Sequence, residues 1–136
     1  MADSYQLAGG LLGLACDDEF MARSLLPIEG VTDAGLGFHT QQAVEKAVLA
    51  LRGVEFPYTH DLDALLELCQ VNDVCVPEDL AEVGCLSPFA VRLRYGTVPS
   101  TNLDRDRALR WADAAVKWAR GIVEPTDDAQ APASSG

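Results

Sequence analysis

The sequence predicts an all-α fold, an antiparallel bundle of about five helices. Three observations carry that expectation. Apolar residues recur at one, three and four residue spacings over several long segments, the period of helices with a buried stripe. No stretch alternates as a half-buried strand would. The chain is 49% hydrophobic but 7% aromatic, so its core must be built from Leu, Val and Ala, which suits helix-on-helix packing. The 136 residues fit one domain, long enough to bury a core without disulfides or metal. We place that domain at residues 1–125. The remaining residues, 126–136, read TDDAQAPASSG, a small, polar composition expected to be disordered.

The first helix is expected over about residues 6–26, after a loose lead-in. Leu11, Leu12, Ala15, Phe20, Ala22, Leu25 and Leu26 supply its apolar side, Gly9, Gly10 and Gly13 weaken its start, and Pro27 ends it. Thr32 or Asp33 is suited to cap the second helix, placed over 33–51. Within it, residues 38–52 read FHTQQAVEKAVLALR. Ala43, Val44, Ala47, Val48 and Leu51 form one stripe. At roughly 100° per residue, Phe38 and Leu49 fall on the other side. A helix apolar on two faces belongs at the centre of a bundle or is shared with a second subunit; we expect both, hence a homodimer. Gly35 and Gly37 either admit another element closely or merely weaken its beginning.

Pro57 breaks the chain before a third helix over 61–69, where Leu62, Leu65, Leu66 and Cys69 repeat at three and four. A short helical piece follows over 78–83. Ser87 and Pro88 suit the cap and first position of a further helix through about residue 94. The last helix, 103–123, gathers Ala108, Trp111, Ala112, Ala115, Val116, Ala119 and Val123 on one half of its wheel, with Leu109, Trp118 and Ile122.

The net charge is −11. Phosphate contacts need Lys and Arg, and the 10 basic residues form no stripe, so nucleic acid is an unfavourable partner. Cys16, Cys69, Cys75 and Cys85 show no Cys-x-x-Cys spacing and are expected as plain thiols. The apolar run 7–16 lacks a preceding Lys or Arg and is too short to span a bilayer. We expect a cytoplasmic protein with no membrane segment. No phosphate loop, nucleophile elbow or His-Glu-x-x-His occurs, and no cofactor or metal is expected. Asp17, Asp18 and Glu19 read as a solvated face.

FHTQQAVEKA from residue 38, THDL at 59–62 and the Arg94–Tyr95 pair resemble the HEPN domain, named for its presence in higher eukaryotes and prokaryotes and for suspected nucleotide binding. The resemblance runs over about residues 11–123. It implies an up-and-down helical bundle. The ribonuclease branch of that family carries an Arg, a polar residue and, a few positions on, a His, set in a cleft at a dimer interface. This chain lacks that pattern: Arg52 and His60 stand with seven residues between them, and no His follows. The resemblance therefore implies the non-catalytic type, often paired with a minimal nucleotidyltransferase in a two-component module of toxin–antitoxin kind.

The candidate ligand residues are His39, Gln42, Glu45, Lys46, His60, Arg94 and Tyr95, with a nucleotide as the ligand. His39, Gln42 and Lys46 share a side of the second helix and could meet a phosphate and a base. The alternative is a polar network that fixes helix register or subunit pairing, with Glu45 holding Lys46 or an Arg. His60 either joins that site or packs the loop while Thr59 and Asp61 cap the third helix. Arg94 either grips an anion or complements a helix C-terminus. Two other functions stay open: a metal-independent endoribonuclease with an atypical site, and a purely structural dimeric interaction protein.

Overall fold

A computed structural model describes residues 2–51, 59–91 and 102–123. These residues are all helical apart from their turns and connections, with no strand among them. The α-helices are α1 (Ala2–Leu25), α2 (Asp33–Leu49), α3 (Leu62–Val71) and α4 (Arg105–Val123). A 3-10 helix over Val83–Val91 is the fifth long element, preceded by a single 3-10 turn, Glu78–Leu80. The expected bundle is thus present.

The second helix is central, as its two apolar faces require. It packs on α1, α3, α4 and the 3-10 helix, and Ala34, Leu36, Ala43, Val44, Ala47 and Val48 are all buried. Thr32 caps it, its Oγ1 accepting the Gly35 N–H at 3.0 Å. Gly37 is where the bundle closes tightest. A Cβ there would clash with the edge of the Phe89 ring, itself buried, so the glycine admits the 3-10 helix and leaves no room for a side chain. The buried Thr40 hydroxyl is satisfied within its own helix, donating to Leu36 O and Gly37 O. An Asp33–Arg105 ion pair, Nε to Oδ1 at 2.6 Å, ties the first turns of α2 and α4, and Arg105 Nη2 also donates to Val31 O.

The remaining helices follow their patterns. Leu62, Leu65, Leu66 and Cys69 are buried, and burial pushes the Cys69 thiol up to about 11. In α4 the expected face is covered, Trp111 included, while Ile122 stays exposed. Asp104 caps that helix, its Oδ1 accepting the Arg107 N–H at 3.1 Å.

Four expectations need correction. The first helix starts at Ala2, since its glycines are accommodated inside a longer helix. Phe20 is exposed, because five residues from buried Ala15 is roughly 140° around a helix. Ser87 caps no helix of its own. Its segment continues as 3-10 helix through Pro88, and Ser87 Oγ accepts the Leu62 N–H at 3.0 Å, completing the start of α3. The acidic cluster on α1 is not a uniformly solvated face: Glu19 is buried beside Arg23 and Asp18 is largely covered. Arg94, Tyr95 and the expected tail lie outside the described residues.

Candidate functional site

The polar residues of α2 gather into two clusters on its successive turns. In the first, Asp18 reaches from α1 to two residues of α2. Its Oδ1 lies 3.1 Å from His39 Nδ1, and its Oδ2 accepts from Lys46 Nζ at 2.7 Å. His39 and Lys46 are seven positions apart, two helical turns, so one carboxylate can bridge them. All three side chains are partly covered, and Asp18 keeps only 13% of its exposure. The His39 ring also meets Phe38 edge-on, with centroids 5.5 Å apart.

The second cluster lies deeper. Glu45 is the hub, with its side chain 10% exposed. Its Oε1 accepts from Gln41 Nε2 at 2.9 Å and lies 2.7 Å from His60 Nδ1. Gln41 is fully buried and also donates to His60 O at 3.4 Å. Gln42 Nε2 donates to Gln41 Oε1 at 2.6 Å. Gln42, Gln41, Glu45 and His60 thus form one chain of hydrogen bonds. It fixes α2 against the strand of backbone entering α3, where Asp61 N–H donates to Thr59 Oγ1 and Asp61 Oδ1 accepts from Ala64 N–H. Thr59 and Asp61 order the backbone, as the capping role expected for this turn requires, and His60 reaches back to Glu45.

Five of the seven sequence-identified residues therefore fall in these two clusters, and Arg94 and Tyr95 lie outside the described residues. Glu45 holds neither Lys46 nor an Arg among the described residues; it holds Gln41 and His60. Two residues escaped sequence reasoning. Asp18 comes from a helix whose acids looked solvated, and Gln41 was not among the candidate residues. The signal for Gln41 was its spacing of four from Glu45 on a helix apolar on two sides, which forces such a pair inward.

A different polar surface lies on α4. Arg107, Arg110, Trp111 and Ala114 line a cleft of about 280 Å³ with Asp79. Arg107 stacks 4.7 Å over the Trp111 ring and pairs with Glu82. No group of three or more His, Cys, Asp or Glu among the described residues could hold a metal ion, and no helix among them is long and apolar enough to cross a membrane.

Chemically, the α2 clusters offer nitrogen donors on a half-covered rim and a buried carboxylate bound to an imidazole. Each histidine sits on a carboxylate. That arrangement can position a donor or hold a phosphate oxygen, and it equally locks helix register. No curated protein and no solved structure gives a significant match to the chain. The family profile of the HEPN domain matches residues 20–124, a span that includes all of α2 and α4 and every residue of the two polar clusters except Asp18. The all-helical bundle agrees with that match, and the chain belongs to the HEPN domain family.

Proposed function

We propose that this HEPN protein is non-catalytic and works as a nucleotide-binding subunit, forming a homodimer and partnering a minimal nucleotidyltransferase in a two-component module of toxin–antitoxin kind. The observation that carries the reading is the convergence of His39 Nδ1 and Lys46 Nζ on the two oxygens of Asp18. Two nitrogens poised on one anion are also poised for a phosphate, which offers more acceptors and more charge than a carboxylate. Gln42 stands between them in sequence, three residues from one and four from the other, and brings an amide for a base edge. Asp18 then acts as a placeholder that keeps the donors aligned and restrains weak anions. The absence of the Arg-to-His ribonuclease spacing, and a net charge of −11, both speak against RNA as a substrate.

Titration of the purified protein with nucleoside mono-, di- and triphosphates, followed by melting and calorimetry, tests the reading. A ligand at 100-fold its dissociation constant adds about 2.7 kcal/mol of stability. Lys46→Ala should abolish that gain, and Asp18→Asn, which removes the competing charge, should tighten binding. Unchanged melting with every nucleotide would leave a structural interaction protein. Cleavage of RNA in EDTA that is lost in His39→Ala would replace the proposal with a ribonuclease. Affinity capture from the host tests the partner: a stoichiometric nucleotidyltransferase supports the two-component reading, and its absence removes it.

A further inference from the structure

Arg110 is the one Lys or Arg without a bonded partner among the described residues. It lines the cleft of about 280 Å³ that α4 forms with Asp79 of the 3-10 turn Glu78–Leu80. One face of α4 builds this cleft. Arg107, Arg110, Trp111 and Ala114 are three and four residues apart and so stand together. Ala114, the small member, leaves open the space that a longer side chain would take. Arg107 is held in place from two sides. Its guanidinium lies 4.7 Å over the Trp111 ring and pairs with Glu82. Arg107 and Trp111 also line a second cavity, of about 180 Å³, whose other walls include Leu86, Phe89 and Leu103. The exposed thiol of Cys85 lines it too. A polar cleft with an unpaired guanidinium thus adjoins an apolar cavity, and the two share Arg107 and Trp111.

We propose that the two spaces form one binding site for a small organic monoanion, a carboxylate on a flat apolar body. The carboxylate lies between Arg110 and Arg107, and the body lies in the cavity of Leu86, Phe89 and Leu103. This site is separate from the α2 clusters and does not depend on a nucleotide binding there. Its chemistry selects the class. A guanidinium presents a planar fork of donors that matches a carboxylate. Arg107 is already ordered by its ring and its acid, so little side-chain freedom is lost when an anion arrives. Asp79 stands in the polar cleft and Asp104 in the apolar cavity, and each repels further negative charge. A single charge is therefore accepted where a phosphate chain is opposed. Apolar walls with a few placed polar groups are the usual make-up of small-molecule sites, and the joined space suits a ligand near the lower end of their range of about 300–1,000 Å³.

Calorimetric titration of the full chain with 1-naphthylacetate, with the neutral 1-naphthylacetamide and with inorganic phosphate tests the site. The acid should bind at least about 10-fold more tightly than the amide. Arg110→Ala should weaken the acid about 10- to 100-fold, and Ala114→Leu should weaken it by filling the cleft while leaving every charge in place. Both variants should keep the helical circular dichroism of the wild type, and Arg23→Ala on α1 should leave binding intact. Bound acid should also shield Cys85 from a thiol reagent while Cys75, outside the site, keeps reacting; mass spectrometry of the labelled peptides reads this on the unmutated chain. Equal binding of acid and amide would reduce the site to an apolar crevice and overturn the anion. Phosphate binding that is lost in Arg110→Ala would assign the cleft to phosphate and overturn the carboxylate. Binding that leaves Cys85 fully reactive would put the ligand elsewhere and overturn the site. No saturable binding of the acid would overturn the proposal outright.

Discussion

Replacing Glu45 tests whether the inner cluster holds the fold together. In Glu45→Ala the buried carboxylate disappears. With it go a 2.9 Å bond from Gln41 Nε2 and the 2.7 Å contact with His60 Nδ1. Hydrogen bonds to a charged group contribute about 1.5–3 kcal/mol each, and a buried donor left unsatisfied costs about 1–3 kcal/mol. Gln41, fully buried, falls back on the longer 3.4 Å bond to His60 O, so its amide is only partly orphaned. Removing the hub should therefore cost about 3 kcal/mol, or about 10 °C of melting temperature for a domain of this size. His60→Ala leaves Glu45 bonded to Gln41 and exposes little new surface, so its cost should be nearer 1 kcal/mol. The double variant should cost less than the sum, by about 1 kcal/mol, because both single changes break the same contact. Urea unfolding followed by circular dichroism gives all three values, provided the denaturant slope stays constant. Glu45→Ala within about 0.5 kcal/mol of wild type would refute the network as a structural hub and leave its burial without a purpose.

Three further outcomes follow from the same geometry. Gly37→Ala should cost about 1–3 kcal/mol, because the new methyl must displace the Phe89 ring; chemical denaturation reads it, and an unchanged midpoint would show that the 3-10 helix shifts freely. Cys75 and Cys85 are exposed and should react with a thiol reagent in the native state, whereas buried Cys69 should wait for unfolding. With its thiol pushed from 9.0 to about 11, stability should be level below pH 9 and fall between pH 9 and 11, as unfolded chains lose a proton that the fold retains. Asp33→Ala removes the 2.6 Å pair with Arg105 and an acid from the first turn of α2, a loss of about 1–2 kcal/mol that the same denaturation curves would measure.

What the sequence made legible was what depends on neighbours in the chain. The two-faced pattern of Ala43, Val44, Ala47 and Val48 against Phe38 and Leu49 placed α2 at the centre, and the Thr32 cap marked its start. The spacing of His39 and Lys46 set them on one side of that helix. Their partner could not be read the same way, because Asp18 stands 21 and 28 residues away and its position depends on how α1 rotates against α2. The Ser87 bond to Leu62 spans 25 residues and was hidden for the same reason. A serine before a proline is a sound local signal for a cap, and here a tertiary donor competes for its hydroxyl. Phe20 was misplaced because α1 is apolar over so much of its circumference that composition alone could not separate its inner face from its outer one.

The charge arrangement narrows what any ligand must do. Seven cations lie among the described residues. Arg23, Lys46, Arg105, Arg107 and Lys117 each hold a carboxylate, and Arg120 donates to the Cys16 sulfur. Arg110 alone has no bonded partner there, and it lines the α4 cleft. A phosphate approaching α2 must therefore share or displace Asp18, while one approaching α4 meets a cation that is already free, with Asp79 beside it. The two routes separate by mutation. If Asp18→Asn tightens nucleotide binding and Arg110→Ala leaves it unchanged, the ligand lies on α2. The reverse pattern would move the site to α4 and leave the α2 clusters as the bolts of the bundle. In either case a polyanion meets a surface on which five of the seven cations among the described residues already hold a carboxylate, so binding there should lose little affinity as salt rises, where a phosphate-tracking RNA binder would lose a great deal.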